Sequence, residues 1–337
     1  MLVRNRILVV SPPLRRVLQT VLTVGGLAAL VWWVDGTALV ASLHSAQWTW
    51  VGAAALLLPL NLGLDGWVWH RLLRPVEGSF SRRAIVRGVL SGLALGFWTP
   101  ARAGEYAGRA VSCADADPWT VSVSVFVQRM IDMLIGVGVG LLLLLGAFWT
   151  GLLVPTLPWM SVAALGFSTV VVLGLGLLHP LLFHRAAEAL DHWDGSLTDR
   201  TAFVPRLTLR NRAVVLGGSL ARYLVFTTQF ALLGLAFAPS AAVGPLAVTA
   251  GLTFFAKYLI PSLTLLDLGI REGSAVFFFQ AAGLSAAAGL NAALLLFAIN
   301  VLLPAAVGVP VAVRLSFGAS DETSSASTKF FSIPFRS

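Results

Sequence analysis

One cysteine, Cys113, stands among 337 residues, which excludes an internal disulfide and any metal site built on several thiolates. Charge is scarce as well: 11% of the chain is Asp, Glu, Lys or Arg, against 57% hydrophobic residues. No soluble core of this size needs that ratio, so the chain reads as an all-α, polytopic membrane helix bundle. A P-loop is missing, so ATP does not drive the chain directly. The histidines (His44, His70, His179, His184 and His192) lie at span ends or in loops without H-E-x-x-H spacing. Neither a metal nor another cofactor is therefore expected. No small-residue cleavage site follows Arg4, Arg6, Arg15, Arg16 and the apolar run after them, and that run is expected to be a retained first span.

Basic residues exceed acidic ones, 23 to 15, for a net charge of +8. The surplus arginines concentrate in loops between apolar runs. That is the positive-inside pattern of a membrane protein, not a stripe for nucleic acid. A basic cytoplasmic face also favours anionic lipid headgroups.

Full-length spans are expected at about 17–34, 48–70, 119–147, 158–182, 213–237 and 286–313. Two other apolar stretches fit a simple crossing poorly. Gly88–Trp98 is short and stops before Pro100, and Pro245–Leu284 is broken at Pro261 and again at Asp267–Glu272. Loops 71–87 and 183–212 each carry five arginines, whereas 148–157 is uncharged. Placing the arginine-rich loops in the cytoplasm makes 88–112 and 244–284 re-entrant hairpins, with tips at Pro100–Gly104 and Pro261–Gly269. About six spans plus two hairpins then form an inverted repeat. The alternative is eight ordinary spans; both arrangements leave the termini cytoplasmic. Residues 1–317 are expected to form one integral membrane domain, and Ser/Thr-rich 318–337 a mobile tail.

The charges inside this oily chain fall in two clusters, TPARAGEYAGR at Thr99–Arg109 and LDLGIREG at Leu266–Gly273. A charged side chain at bilayer depth costs about 2.5–3.5 kcal/mol on insertion scales, so each needs a partner or a function. Arg102, Glu105 and Arg109 are spaced to share one helix face. Two helices restarting inside the bilayer would aim free N–H groups at a phosphate or carboxylate, and arginine adds bidentate recognition. Arg102, Arg109 and Arg271 are the expected phosphate contacts, with Glu105 and Glu272 orienting them. With Arg129, Arg222 and Lys257, and with Asp132 and Asp267 added to the carboxylates, the core carries two positive charges in excess. The competing structural readings are an ion pair of Arg129 with Asp132 that locks two spans, and Arg222 and Lys257 snorkelling to the interfaces. Asp191, Asp194 and Asp199 alternate with arginines and read as a solvated loop.

Three motifs carry a resemblance. Gly96-Phe97-Trp98-Thr99-Pro100-Ala101-Arg102-Ala103-Gly104-Glu105 matches G-x-x-T-P-x-R-x-G-E. Gln128-Arg129-Met130-Ile131-Asp132 matches an E-R-x-x-D pattern with Gln in place of Glu. Gly269-Ile270-Arg271-Glu272-Gly273 matches G-x-R-E-G, with Ala275 to Gly283 following it in pattern. In these the chain resembles, over nearly its whole length, the lysylphosphatidylglycerol synthase transmembrane-region family, also called flippase-like. The resemblance implies lipid translocation in a cell (inner or plasma) membrane, with aminoacylated phosphatidylglycerol, other phospholipids, and polyprenyl-linked or hopanoid lipids as cargo classes. Larger relatives append a soluble aminoacyl-transferase domain, and this chain resembles the transporter part alone. The expected partners are lipids with anionic headgroups, a second copy of the chain, and a separate lipid-modifying enzyme. A second functional class stays open: a membrane-embedded enzyme using Glu105 or Asp267 as a general base on a headgroup.

Overall fold

The computed structural model describes residues 34–76, 80–99, 102–113, 116–154, 156–178, 201–260 and 269–322, with isolated positions in 25–32 and 185–199. Every regular element among the described residues is helical. The expected span 17–34, the cluster residue Asp267, most of the 183–200 loop and residues 323–337 lie largely or wholly outside the described residues.

A short helix α1 (Gly36–His44) starts on Asp35, whose carboxylate accepts the Thr37 N–H at 2.9 Å. Helices α2 (Trp48–Leu56) and α3 (Leu58–Leu73) form one membrane-length segment that breaks at Leu57, where Pro59 removes a backbone donor. Helices α4 (Arg82–Trp98) and α5 (Ala103–Val111) follow, then the long α6 (Pro118–Trp149) and α7 (Leu157–Leu178). After one turn, α8 (Phe203–Arg206), come α9 (Leu209–Phe237), α10 (Val243–Leu259) and α11 (Ile270–Ala281). Helix α12 (Ala286–Phe297) passes through a π turn (Ala298–Leu302) into α13 (Leu303–Glu322), so helix continues beyond residue 317.

Five segments are long and apolar enough to cross a bilayer: Trp48–Leu73, Pro118–Trp149, Pro158–Gly176, Leu209–Phe237 and Ala286–Leu315. They coincide with five of the six expected spans. The two doubtful stretches are pairs of shorter helices. With nine residues, α5 measures about 13 Å at ~1.5 Å per residue. With twelve, α11 measures about 18 Å, so neither can cross a ~30 Å hydrocarbon core alone.

Helices α4 and α5 run antiparallel in close contact. Gly88 faces Ser112, Gly92 faces Gly108, and Leu95 faces Gly104, one rung per helical turn. A methyl on Gly108 would sit 2.6 Å from the Gly92 nitrogen, so only glycine allows this approach. Helix α13 packs on α4, while α6 packs on α10. Each long helix that follows one hairpin thus braces the first arm of the other. Around α9–α12 the core is aromatic, with Phe230 and Phe279 edge-on at 5.9 Å and Phe226 and Phe254 at 4.8 Å.

Candidate functional site

Arg109 is fully buried on α5. Such an ion persists in an apolar interior only where opposite charge pairs with it. Its Nη2 donates to Asp65 Oδ2 at 2.6 Å and to Glu105 Oε1 at 2.8 Å, and its Nη1 donates to Gln128 Oε1 at 3.0 Å. The guanidinium also lies 4.9 Å from the ring centre of Trp69. Four elements, α3, α5, α6 and α9, share the resulting network. On α6, Arg129 pairs with Glu105 and donates to Asp132 Oδ2 at 3.0 Å. From α9, Arg222 Nη1 donates to Asp132 Oδ2 at 2.6 Å, and its Nη2 lies 3.3 Å from Asp65 Oδ1.

The expected locking pair is therefore present but larger than a pair. Asp132 ties α6 to α9, and Arg129 ties α6 to α5. Arg222 does not snorkel to an interface: two buried carboxylates hold it inward. Gln128, the departure from the family pattern, has a clear local reason. Its Nε2 donates to the Asp65 carbonyl and to Oδ1, each at 3.1 Å, while its Oε1 accepts from Arg109. A glutamate there would set a second anion against Asp65, whereas an amide serves both neighbours.

In front of this network lies a cavity of about 230 Å³. Its wall includes Arg102 and Glu105 from the first hairpin and Lys257 and Arg271 from the second. Arg129, Asp132, Arg222 and Asp65 close it from behind. Arg102 takes the left-handed backbone conformation, φ 57°, ψ 29°, as the residue before α5, and its Nε stands 3.6 Å from Glu105 Oε2. A non-glycine residue in that conformation is strained, and the strain turns the chain at the cavity. Thr99 Oγ1 accepts the Gly104 N–H at 2.6 Å, capping the start of α5.

The second cluster is arranged differently. Arg271 pairs with its neighbour Glu272 and lies over Phe297, 5.4 Å from the ring centre. Glu272 is fully buried, and its Oε2 accepts the Gly269 N–H at 2.7 Å. A carboxylate of the chain itself thus occupies the N-terminus of α11, which corrects the expectation of an anion site there. Arg109 is likewise removed from direct ligand contact. It and Glu272 hold others in place, while Arg102, Glu105 and Arg271 face the cavity.

Sequence reasoning passed over Asp65, Asn61 and Asn300, which all line the cavity. Asn61 Nδ2 donates to Asn300 Oδ1 at 2.8 Å, and the π turn carries Asn300 to that position. The missed signal was a carboxylate and an amide one helical turn apart inside an otherwise apolar span. Among the described residues, no group of His, Cys, Asp and Glu could hold a metal ion. Among the described residues, six cations (Arg102, Arg109, Arg129, Arg222, Lys257, Arg271) and four carboxylates (Asp65, Glu105, Asp132, Glu272) form the site, two positive charges in excess.

No curated protein and no solved structure matches this chain. The family model described as lysylphosphatidylglycerol synthase TM region matches residues 16–308, which takes in both hairpins and every residue of the charged network. A multi-pass bundle matched over that length belongs to the lysylphosphatidylglycerol synthase transmembrane-region family, a family tied to membrane lipids.

Proposed function

We propose that the protein moves a lipid between leaflets by holding an anionic headgroup in the central cavity, and that it changes no covalent bond in that lipid. The observation that carries the reading is the joint wall: Arg102 and Arg271 come from different hairpins, yet line one cavity whose buried surroundings leave an excess of positive charge. A phosphate is the natural complement, because guanidinium groups meet its oxygens in a planar fork. At about 230 Å³ the space falls below the ~300–1,000 Å³ of a drug-sized pocket. It suits a headgroup, with the acyl or polyprenyl chains left in lipid.

Motion of one hairpin and its bracing helix against the other would open the cavity to either leaflet in turn. The membrane is a cell (inner or plasma) membrane, with the arginine-rich loops and both termini cytoplasmic. The cargo classes are anionic phospholipids, aminoacylated lipids and polyprenyl- or sugar-linked lipids. A second copy of the chain and a separate enzyme that modifies the lipid are the proposed protein partners. General-base chemistry is disfavoured at Glu105, whose oxygens are engaged by Arg102, Arg109 and Arg129.

Exchange of a fluorescent anionic lipid between leaflets of proteoliposomes tests the proposal. Arg102→Gln combined with Arg271→Gln should slow it by about tenfold or more, the equivalent of ~1.4 kcal/mol in headgroup binding. An unchanged rate in a folded double variant overturns it. A cysteine at exposed Glu188 should react with a membrane-impermeant reagent only from the cytoplasmic side, and labelling from outside would reject the topology.

A further inference from the structure

A second hollow lies outside the charged network, in the seam between α3 and α9. Its volume is about 540 Å³, and its rim holds Arg71, Arg74 and Arg210. The two helices are antiparallel: Val68 meets Gly218, and the Ala54 carbonyl accepts from Gln229. Their arginine-bearing ends therefore lie side by side at one end of two membrane-length segments. None of the three guanidiniums meets a carboxylate among the described residues, and Arg71 lies over the Trp67 ring at 5.0 Å.

A solvated basic loop would account for the arginines alone. It would not account for the groove beneath them. Below the rim the lining turns apolar, through Leu64, Trp67, Val214 and Ala221, and the groove lies open at Gly217, where an added side chain would meet no atom within 4 Å. From Arg210 to Ala221 the groove follows α9 for about 16 Å at ~1.5 Å per residue. That matches half of a ~30 Å hydrocarbon core, the depth of one leaflet. Cations that meet no described carboxylate, above a one-leaflet apolar channel, have the charge and shape complementary to a phospholipid.

We propose that this seam binds one anionic phospholipid, with its phosphate on Arg71, Arg74 and Arg210, its glycerol beside Trp67, and one acyl chain along Leu64, Val214, Gly217 and Ala221. The site is separate from the central cavity and does not depend on transport: Asp65 and Arg222 face inward on the same two helices whose outer faces form the seam.

Native mass spectrometry of the full chain in mild detergent, titrated with phosphatidylglycerol or phosphatidylcholine, tests this directly. With Arg102 and Arg271 both changed to Gln, the chain should still retain one phosphatidylglycerol that phosphatidylcholine does not replace. Arg71→Gln, Arg74→Gln and Arg210→Gln together should weaken that retention by about tenfold or more, through loss of charge-assisted contacts. Gly217→Phe, which fills the channel and leaves the arginines, should weaken it as well. Arg102→Gln with Arg271→Gln is the background for every titration, because it removes any phosphatidylglycerol held by the central cavity, so that failure of the transport reading and failure of the seam are told apart. Equal retention of phosphatidylcholine would overturn the proposal, as would unaltered retention in either the arginine triple variant or Gly217→Phe. Displacement of the lipid by millimolar glycerol phosphate would overturn it too, by showing that the headgroup alone suffices.

Discussion

The two hairpins carry similar motifs but hold themselves together by different physics. In the first, α4 and α5 meet backbone to backbone through glycines, and the charges on α5 are shared with α3, α6 and, through Asp65, α9. In the second, α10 and α11 sit in an aromatic core, and among the described residues Arg271 pairs with its own neighbour Glu272. A charge network across four helices fixes geometry sharply, because each ion fails if its partner shifts. The aromatic contacts of the second hairpin are uncharged, so a small shift there strands no buried ion. The first hairpin is therefore the more sharply specified wall of the cavity.

Breaking that contrast should cost most at Asp65. Asp65→Asn strips a charge from between Arg109 and Arg222 and should destabilise the fold by about 3–5 kcal/mol. Thermal unfolding in detergent reads this, and pairing Asp65→Leu with Arg109→Met should recover a large part of the loss. Full stability in the single variant would mean that the network does not hold the first hairpin.

Next in size, Gly108→Ala and Gly269→Ala separate close approach from backbone conformation. At Gly108 the added methyl meets the backbone of α4, an overpacking cost of about 1–3 kcal/mol or more. At Gly269 an added methyl would meet no described atom within 4 Å, and the φ of 104° resists, at about 1–2 kcal/mol. Unfolding temperatures should rank Gly108→Ala below Gly269→Ala, and the reverse order would place the tighter hairpin second.

The smallest effect has the opposite sign. Arg102→Gly removes left-handed strain worth about 1–2 kcal/mol, offset by glycine's greater chain entropy, for a net gain of about 0.5–1 kcal/mol. Stability should rise while lipid exchange falls. Loss of both would show that Arg102 is structural rather than strained for a purpose.

Much of the architecture was legible beforehand because it follows from hydropathy and punctuation. Five described spans and the interruptions near Pro100 and Pro261 all came from counting apolar runs and placing charge. The assignments that changed depended on distance across the bundle. Arg109 looked like a ligand contact, yet it is a buried partner of Asp65, and Glu272, expected to orient an arginine, pairs with Arg271 and also accepts the Gly269 N–H. Arg222 looked free to reach an interface, yet Asp132 holds it. Asp65, with Asn61 one turn away in the same span, marked a polar site but not which arginines it would meet.

By itself the chain's order of residues determined that this is a membrane bundle with two broken-helix hairpins and an arginine surplus at its heart, because solvent partitioning and backbone interruption act on neighbours along the chain. Which arginines are locked and which face open space was decided only in three dimensions. A buried ion's role depends on the partner it finds, and here those partners lie as many as 157 positions away, as between Asp65 and Arg222.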